Sequence, residues 1–511
     1  MRLFPAPRPK SLSKSPVHLT PAWSIAWGNC PQLADGGTWR DAQLTIFHKQ
    51  PVFSPSQRFA VLGDLWLSNR GPLRDRLGVA PVPDAQLVAH LWERWGVDAL
   101  GLLEGIFALA VWDREDLRLY LARDRTGGRT LYYTTEGSLR WIAPRLRLLS
   151  SYHSHELDLV ALRDYLCCAF VPGDRTLWRH VRELRPGTLL TLPDDLFGVY
   201  YQFQADVRNA DRPLAWHGEK VRSLLERVVG EYLPKGEPVG TYLSGGLDSS
   251  AVTAVAAQLH DAPVHTYSIH FGAEFPNELE FSSLVARHCR TQHHILEITP
   301  QQMWSQLPAT MAHLDDPIGD PLTVPNFLLG NLARSHVHVI LNGEGGDPCF
   351  GGPKNQPMLL KQLYHTMTNS QLLGDYLTSF KKCANDLSML LKPDIWTGVK
   401  DEPSVFAADL FAEGEYLNRL MMLNIKFKGA DHILTKVNNL TRSAGIEGRS
   451  PLFDGRIVQL SLEIPPAYKL AGAVEKAVLK QAVADLLPEE IIHRPKSGMM
   501  VPVQFWVVIN M

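Results

Sequence analysis

Two textures of apolar residues divide the chain. Between about residues 61 and 149 the apolar runs are short: FALAVWD (107–113), LRLYLARD (117–124) and RTLYYTT (129–135), parted by charged or glycine turns. Runs of this length predict strands, and the DREDLR stretch joining the first two predicts a hairpin. DAQLVAHLWERWG (84–96) repeats its apolar positions at helical spacing and ends on Gly96, a residue suited to a helix C-cap. LDLVALRDYLCCAFV (157–171) predicts a further helix, and 176–192 a turn and a strand. The polar stretch DVRNADRP (206–213) predicts a linker, dividing the chain into domains 1–205 and 206–511.

Beyond residue 214 the period changes. Predicted helices over 217–233, 249–259 and 279–289 alternate with predicted strands over 238–243, 264–271 and 337–343. Strands alternating with helices of ten or more residues imply parallel βαβ units.

Composition removes several function classes. Lys+Arg (51) and Asp+Glu (53) nearly cancel to −2, so no basic face points to nucleic acid. The six cysteines (Cys30, Cys167, Cys168, Cys289, Cys349, Cys383) show no CxxC spacing, which argues against a zinc ribbon or disulfide framework and fits a reducing compartment. The opening MRLFPAPRPKSLSKSP lacks the apolar core of a secretory signal. The longest apolar stretch, 100–112, is too short to span a bilayer and contains Glu104. A cytoplasmic protein with no membrane partner is expected.

The chemistry concentrates in TYLSGGLDSSAV (241–252). A strand, a Gly-Gly turn and a helix start form a geometry that binds phosphate through free backbone N–H groups and the helix dipole. Ser244, Ser249 and Ser250 add hydroxyl donors. Asp248 would repel a bare phosphate but suits one neutralised by Mg²⁺. The Walker A pattern GxxxxGK[ST] is absent. A loop that merely caps its helix is the alternative reading.

SGGLDSS resembles the PP-loop of the ATP pyrophosphatases, which cleave ATP between the α- and β-phosphates. Further segments narrow this resemblance to the asparagine synthetase superfamily: LNGEGGDPCFGG (341–352), 313–329, 433–470 and 475–502. Residues 92–133 are similar to the glutamine-hydrolysing amidotransferase domain of the same enzymes. The resemblance covers about residues 58–506 and implies an antiparallel β-sandwich of amidotransferase type followed by a parallel-sheet ATP pyrophosphatase domain.

It also implies site residues. Ser244, Gly245, Gly246, Ser249 and Ser250 hold pyrophosphate, with Leu243 and Gly343 in the same nucleotide-binding set. Asp248 and Asp347 are Mg²⁺ ligands and Lys476 contacts pyrophosphate. Lys496, in RPKSG, stabilises the adenylation and amide-forming transition states. Glu344 follows the asparagine synthetase pattern, where β-lactam synthetases carry a Tyr, and its carboxylate suits steering or deprotonating an amine. His293, His294 and His493 lack metal-ligand spacing and are expected to be structural or exposed.

Three departures matter. The family's glutaminase nucleophile is a Cys directly after the initiator Met, whereas Arg2 stands here and the nearest cysteine is the internal Cys30. The NGE glutamine-pocket motif appears as Leu62-Gly63-Asp64, without its Asn. The chain ends at VVINM soon after Trp506, so an altered or truncated tail is expected. The first domain is therefore expected to be a scaffold without glutaminase activity, as in β-lactam synthetases and lasso-peptide cyclases. Three functions follow as expectations. One is ATP- and Mg²⁺-dependent amidation of a small carboxylate by ammonia or an amine. Another is amide closure on a peptide or specialised metabolite, with a precursor peptide and a protease as partners. The last is a non-catalytic regulatory homologue. Oligomeric state is not legible in the sequence, and a homodimer stands only as one option among the partners.

Overall fold

The computed structural model describes residues 23–28, 37–137, 139–352, 357–359, 368–471, 474–495 and 501–503. The first half holds two antiparallel six-stranded sheets. One contains β1 (Ser24–Trp27), β2 (Trp39–Asp41), β3 (Leu44–Phe47), β8 (Tyr132–Glu136), β9 (Leu139–Ala143) and β10 (Val181–Glu183), ordered β10-β8-β9-β1-β3-β2. The other contains β4 (Val52–Phe53), β5 (Phe59–Leu67), β6 (Gly105–Asp113), β7 (Arg118–Arg123), β11 (Thr188–Leu192) and β12 (Leu196–Val199), ordered β12-β11-β7-β6-β5-β4.

Side-chain alternation along β6 shows why the sheets stack. Ala108, Ala110 and Trp112 face the first sheet and pack with Trp23, Ile25 and Ile46. Phe107, Leu109 and Val111 face the opposite way, onto Leu87, Val88, Leu91 and Trp92 of the helix Asp84–Trp95. Because both faces are covered, this strand reads as a continuous apolar run.

The second half is built on a parallel sheet: β13 (Val239–Tyr242), β14 (Val264–His270), β15 (Gln292–Glu297), β16 (Val339–Leu341) and β17 (Glu447–Arg449), ordered β15-β14-β13-β16-β17. The helices Leu214–Tyr232 and Leu247–Leu259 cover one face. The other face, with Tyr267, Ile269 and Ile340, packs against Leu329 and Ala333. No regular element lies between Val199 and Leu214.

Several predicted bounds shift for local reasons. The strand placed at 129–135 begins at Tyr132, because the Asp124 carboxylate gathers the amides of Thr126, Gly128 and Arg129 at 3.0 Å each and holds them in a turn. The helix placed at 157–171 is shorter, Leu159–Cys168, capped by Asp158, which accepts from Ala161 N–H, and ended by Ala169 at φ 64°. The stretch 176–192 yields two strands in different sheets, β10 and β11, rather than one. The helix placed at 249–259 starts at Leu247, which puts Asp248 in its first turn. Strands before residue 58 that composition did not predict complete both sheets. Among the described residues no helix is long and apolar enough to cross a membrane.

Candidate active site

Strand order in the parallel sheet reverses between β13 and β16, and the crevice outside such a switch point is where open α/β sheets bind ligands. The two glycine-rich loops leave the sheet there, one after β13 and the other after β16. In the first, Gly246 precedes the helix Leu247–Leu259, and Gly245 adopts φ +77°, where a Cβ would stand 2.5 Å from the Ser282 amide nitrogen. The loop is tied internally: Ser244 Oγ lies 3.1 Å from Ser249 Oγ and accepts from Gly246 N–H at 3.2 Å. Leu243 is buried behind it, and its amide donates to Tyr267 C=O at 2.9 Å. Ser250 is fully buried within the helix, and its Oγ has no hydrogen-bond partner among the described residues. Gly343 packs against the same helix start, at Ser249.

The two loops meet over one cation. Lys476 Nζ is 2.5 Å from an Asp248 carboxylate oxygen and 2.6 Å from an Asp347 oxygen. Burial would lower the lysine pKa, but the two carboxylates outweigh it and the net shift is upward. Gly346 permits this convergence: a Cβ there would lie 2.1 Å from the Asp248 carboxyl carbon. Lys476 itself sits at φ 54°, a left-handed conformation costly for a residue with a side chain.

Glu344 lies in the same loop, its amide donating to Asn342 Oδ1 at 3.1 Å. Burial raises its carboxyl pKa, with Asp320, Asp347 and Asp248 adding to the rise and Lys436 opposing it. Lys436 belongs to a buried set that sequence reasoning missed. Its Nζ is 2.5 Å from Asp320 Oδ2, and His432 Nε2 is 3.3 Å from the same oxygen. Burial pushes Asp320 up, but Lys436 and His432 more than offset this and hold it well below the usual carboxylate range. Burial pushes His432 down to about 4, so its imidazole is neutral. The one signal available was a lysine inside the apolar-spaced ILTKVNNL, on a helix that follows a π-helical stretch, Asn424–Leu434.

Lys496 lies outside the described residues. Arg494, two positions earlier, donates to Gly245 C=O at 3.0 Å and pairs with Glu278 at 2.5 Å, which places Arg494 itself beside the first loop. His294 sits on the edge strand β15, its Nε2 3.0 Å from His265 Nδ1, while His293 contacts Thr266 and His493 is exposed.

In the first domain, Asp64 is 7% exposed and its carboxylate is filled. Arg129 Nε reaches it at 3.2 Å and Arg442, from the second domain, at 2.8 Å. Arg129 also bonds Glu447 of β17. Lys49 Nζ donates to Gly63 C=O at 2.7 Å. Arg2 and Cys30 lie outside the described residues. Two adjoining cavities between the domains share Ile106, Thr126, Tyr232 and Phe453.

Comparison with known proteins agrees with this architecture. The asparagine synthase family model matches residues 220–511, and the glutamine amidotransferase domain model matches residues 42–201. Asparagine synthetase [glutamine-hydrolyzing] 1 of Bacillus subtilis (strain 168) is 26% identical over 458 residues, 83% of this chain and 72% of its own length. A putative asparagine synthetase [glutamine-hydrolyzing] of Mycobacterium bovis is 26% identical over 486 residues, 86% of this chain and 74% of its own. With more than half its length matched by that family model and with the two glycine-rich loops converging at the sheet's switch point, the chain belongs to the asparagine synthase family, with a glutamine amidotransferase domain at its N-terminal side.

Proposed function

We propose that this chain makes amides at the expense of ATP. A carboxylate oxygen attacks the α-phosphorus, giving an acyl-adenylate and pyrophosphate. An amine nitrogen then attacks the acyl carbon, the C–O bond to AMP breaks, and the amine proton passes to a base. The observation that carries this reading is the Lys476 ammonium held between Asp248 and Asp347 at the mouth of the loop 244–250. That arrangement gathers a cation and two hard oxygen donors where a triphosphate would lie against a helix N-terminus.

The donor set fits Mg²⁺. Asp248 and Asp347, which both reach Lys476 Nζ, are hard oxygen donors of the kind taken by an ion that keeps most of its shell for water and phosphate oxygens. Among the described residues no group of three or more His, Cys, Asp or Glu forms a metal centre. When bound, the ion would neutralise charge on the departing pyrophosphate. Lys476 orients the same group, and the loop amides hold the β- and γ-phosphates. Glu344 is the base for the incoming amine, since its raised pKa makes it a better proton acceptor than an ordinary glutamate. Lys496 is assigned to transition-state charge by the motif alone.

The first domain, 1–205, serves as a scaffold without glutaminase activity. Its former pocket position, Asp64, already holds two guanidinium groups. Nitrogen therefore comes from free ammonia or from an amine on the substrate. A small acid such as aspartate with ammonium is the first assignment. Ring closure on a peptide or metabolite is the second, favoured by the same filled pocket.

Pyrophosphate release with ATP and Mg²⁺ tests this across carboxylates, with ammonium, glutamine or no added amine. Release with aspartate and ammonium but not glutamine is the expected result, and glutamine-driven turnover would refute the scaffold assignment. Glu344→Gln is expected to lower amide formation about 10²-fold while leaving ATP–pyrophosphate exchange within about threefold, because a general base acts only after adenylation. The acid limb of the wild-type rate profile should lie above the ordinary glutamate value of 4.5. Gly346→Ala is expected to weaken ATP binding about tenfold, read by calorimetry. Forcing a methyl into filled space costs about 1–3 kcal/mol, and here that space is the Asp248 carboxylate.

A further inference from the structure

A lysine that no motif singled out lies beneath the site. Lys469 is fully buried, at 0% exposure. Its ammonium donates to Asn418 Oδ1 at 2.8 Å and to Ser461 C=O at 2.7 Å. Both acceptors are neutral, and among the described residues no carboxylate pairs with it. Burial drives its pKa down to about 7, and only the Cys349 thiol pushes the other way. A charge buried on those terms destabilises the fold. An apolar side chain of similar length would fill the space more cheaply.

Its neighbours show what the position governs. Lys469 ends a short helix, Pro466–Lys469, and is followed at once by the strand Leu470–Ala471. That strand pairs with Val474–Glu475 in the register Leu470↔Glu475 and Ala471↔Val474. Lys476 comes next, directly across the hairpin, and its amide donates to Lys469 C=O at 2.6 Å. The second glycine-rich loop rests on the same residue, since a Cβ at Gly351 would lie 3.3 Å from both the Lys469 backbone and its side chain. Lys469 thus touches the hairpin that delivers Lys476 and the loop that delivers Asp347. Its two side-chain bonds pin this junction to Asn418 and Ser461 on two separate helices, Tyr416–Leu423 and Gly455–Glu463.

We infer that Lys469 is a positioning residue for the nucleotide site: its buried ammonium fixes the 469–476 hairpin so that Lys476, in its left-handed conformation, reaches both Asp248 and Asp347. The inference rests on the ATP-dependent reading above. It accounts for a lysine amine in a closed core, where stability alone would place an apolar side chain.

The test is Lys469→Met in the full chain, with three readouts. Thermal unfolding is expected to change by no more than a few degrees, because relief of a buried amine offsets the loss of the donor to Asn418 Oδ1 and Ser461 C=O. Calorimetry with ATP and Mg²⁺ is expected to show affinity weakened about ten- to a hundredfold, the scale on which small misplacements of a binding group act. In ATP–pyrophosphate exchange the loss should fall on KM for ATP more than on kcat. Unchanged ATP affinity in a folded variant would overturn the positioning role while leaving the function intact. Absence of ATP binding in the wild type would overturn both. Should Lys469→Met fail to fold, Lys469→Met with Asn418→Leu removes one of the two orphaned acceptors and leaves only Ser461 C=O. A folded double variant with weakened ATP binding supports the inference, and normal binding or renewed failure to fold marks Lys469 as a packing residue and overturns it.

Discussion

Lys476→Met is expected to lower ATP–pyrophosphate exchange about 10³-fold while the protein remains folded. The ammonium lies within 2.6 Å of two carboxylates that come from different loops. Removing it takes away the cation that offsets the repulsion between Asp248 and Asp347 and, on the reading proposed above, the donor to the pyrophosphate. Loss of one preorganised electrostatic donor in a dry site typically costs about 10²–10³ in rate. Because Asp248 and Asp347, the proposed Mg²⁺ ligands, also lose their shared partner, the loss is expected at the upper end of that range. The effect should appear in exchange before any amine is added, which separates it from Glu344→Gln, whose deficit arises only after adenylation. Exchange reduced less than tenfold would mean that Lys476 is a structural partner of the two aspartates and does not act on the nucleotide.

Asp64→Asn is expected to destabilise the whole chain by about 3–5 kcal/mol, the usual cost of removing one partner from a buried ion pair. Arg129 and Arg442 would both lose their shared carboxylate, and Arg442 belongs to the other domain. Burial pushes the Asp64 pKa up, but Arg442 and Arg129 outweigh it and hold it well below its ordinary value of 3.8. A carboxylate held down in this way contributes stability that is complete above the unfolded value and lost as pH falls through the folded one. The wild type should therefore lose this contribution only below about pH 3.8, whereas Asp64→Asn should lack it at every pH. Parallel denaturation curves at pH 7 and pH 3 measure the difference. Equal stability of the two proteins at pH 7 would show that Asp64 is not a joint between the domains.

That joint is one of several. Arg145 of the first domain pairs at 2.9 Å with Asp315, which is also held by Asn439 Nδ2 at 3.0 Å. Arg185 pairs at 2.7 Å with Asp431. Asn438 Nδ2 donates to Gly128 C=O at 2.7 Å. On the scaffold reading proposed above, an amidotransferase-type domain fastened by buried charge has a reason to persist, because without it Asp315, Asp431 and Arg442 would each lose an ion-pair partner.

The strand β6 was readable in FALAVWD because a short apolar run bounded by charged turns needs only local information. The loop 241–252 was readable for a related reason. Glycine, serine and aspartate at a strand-to-helix turn are constrained by backbone geometry and anion chemistry within a dozen residues. Bounds failed where a side chain elsewhere reset the backbone, as Asp124 does to residues 126–129. The strands before residue 58 carried too short a pattern to stand out, and pairing partners far along the chain stabilise them: β1 lies beside β9, more than a hundred residues later.

The sequence by itself determined the two textures and the strand–glycine–helix turn at 241–252, since their geometry is locally dictated; Asp347, Glu344 and Lys476 stand out only through the family resemblance of their motifs, and their roles, like that of Asp248, are proposals. Only the tertiary structure decided that Lys476, 228 positions from Asp248, closes the gap between the two loops. It also decided that Asp64 is spent on guanidinium groups and that Lys469 is buried beneath the site. Those are facts about which charges meet. A charge's partner is chosen by the fold that excludes water around it, where an unpaired ion is too costly to leave and the nearest opposite charge can come from anywhere in the chain.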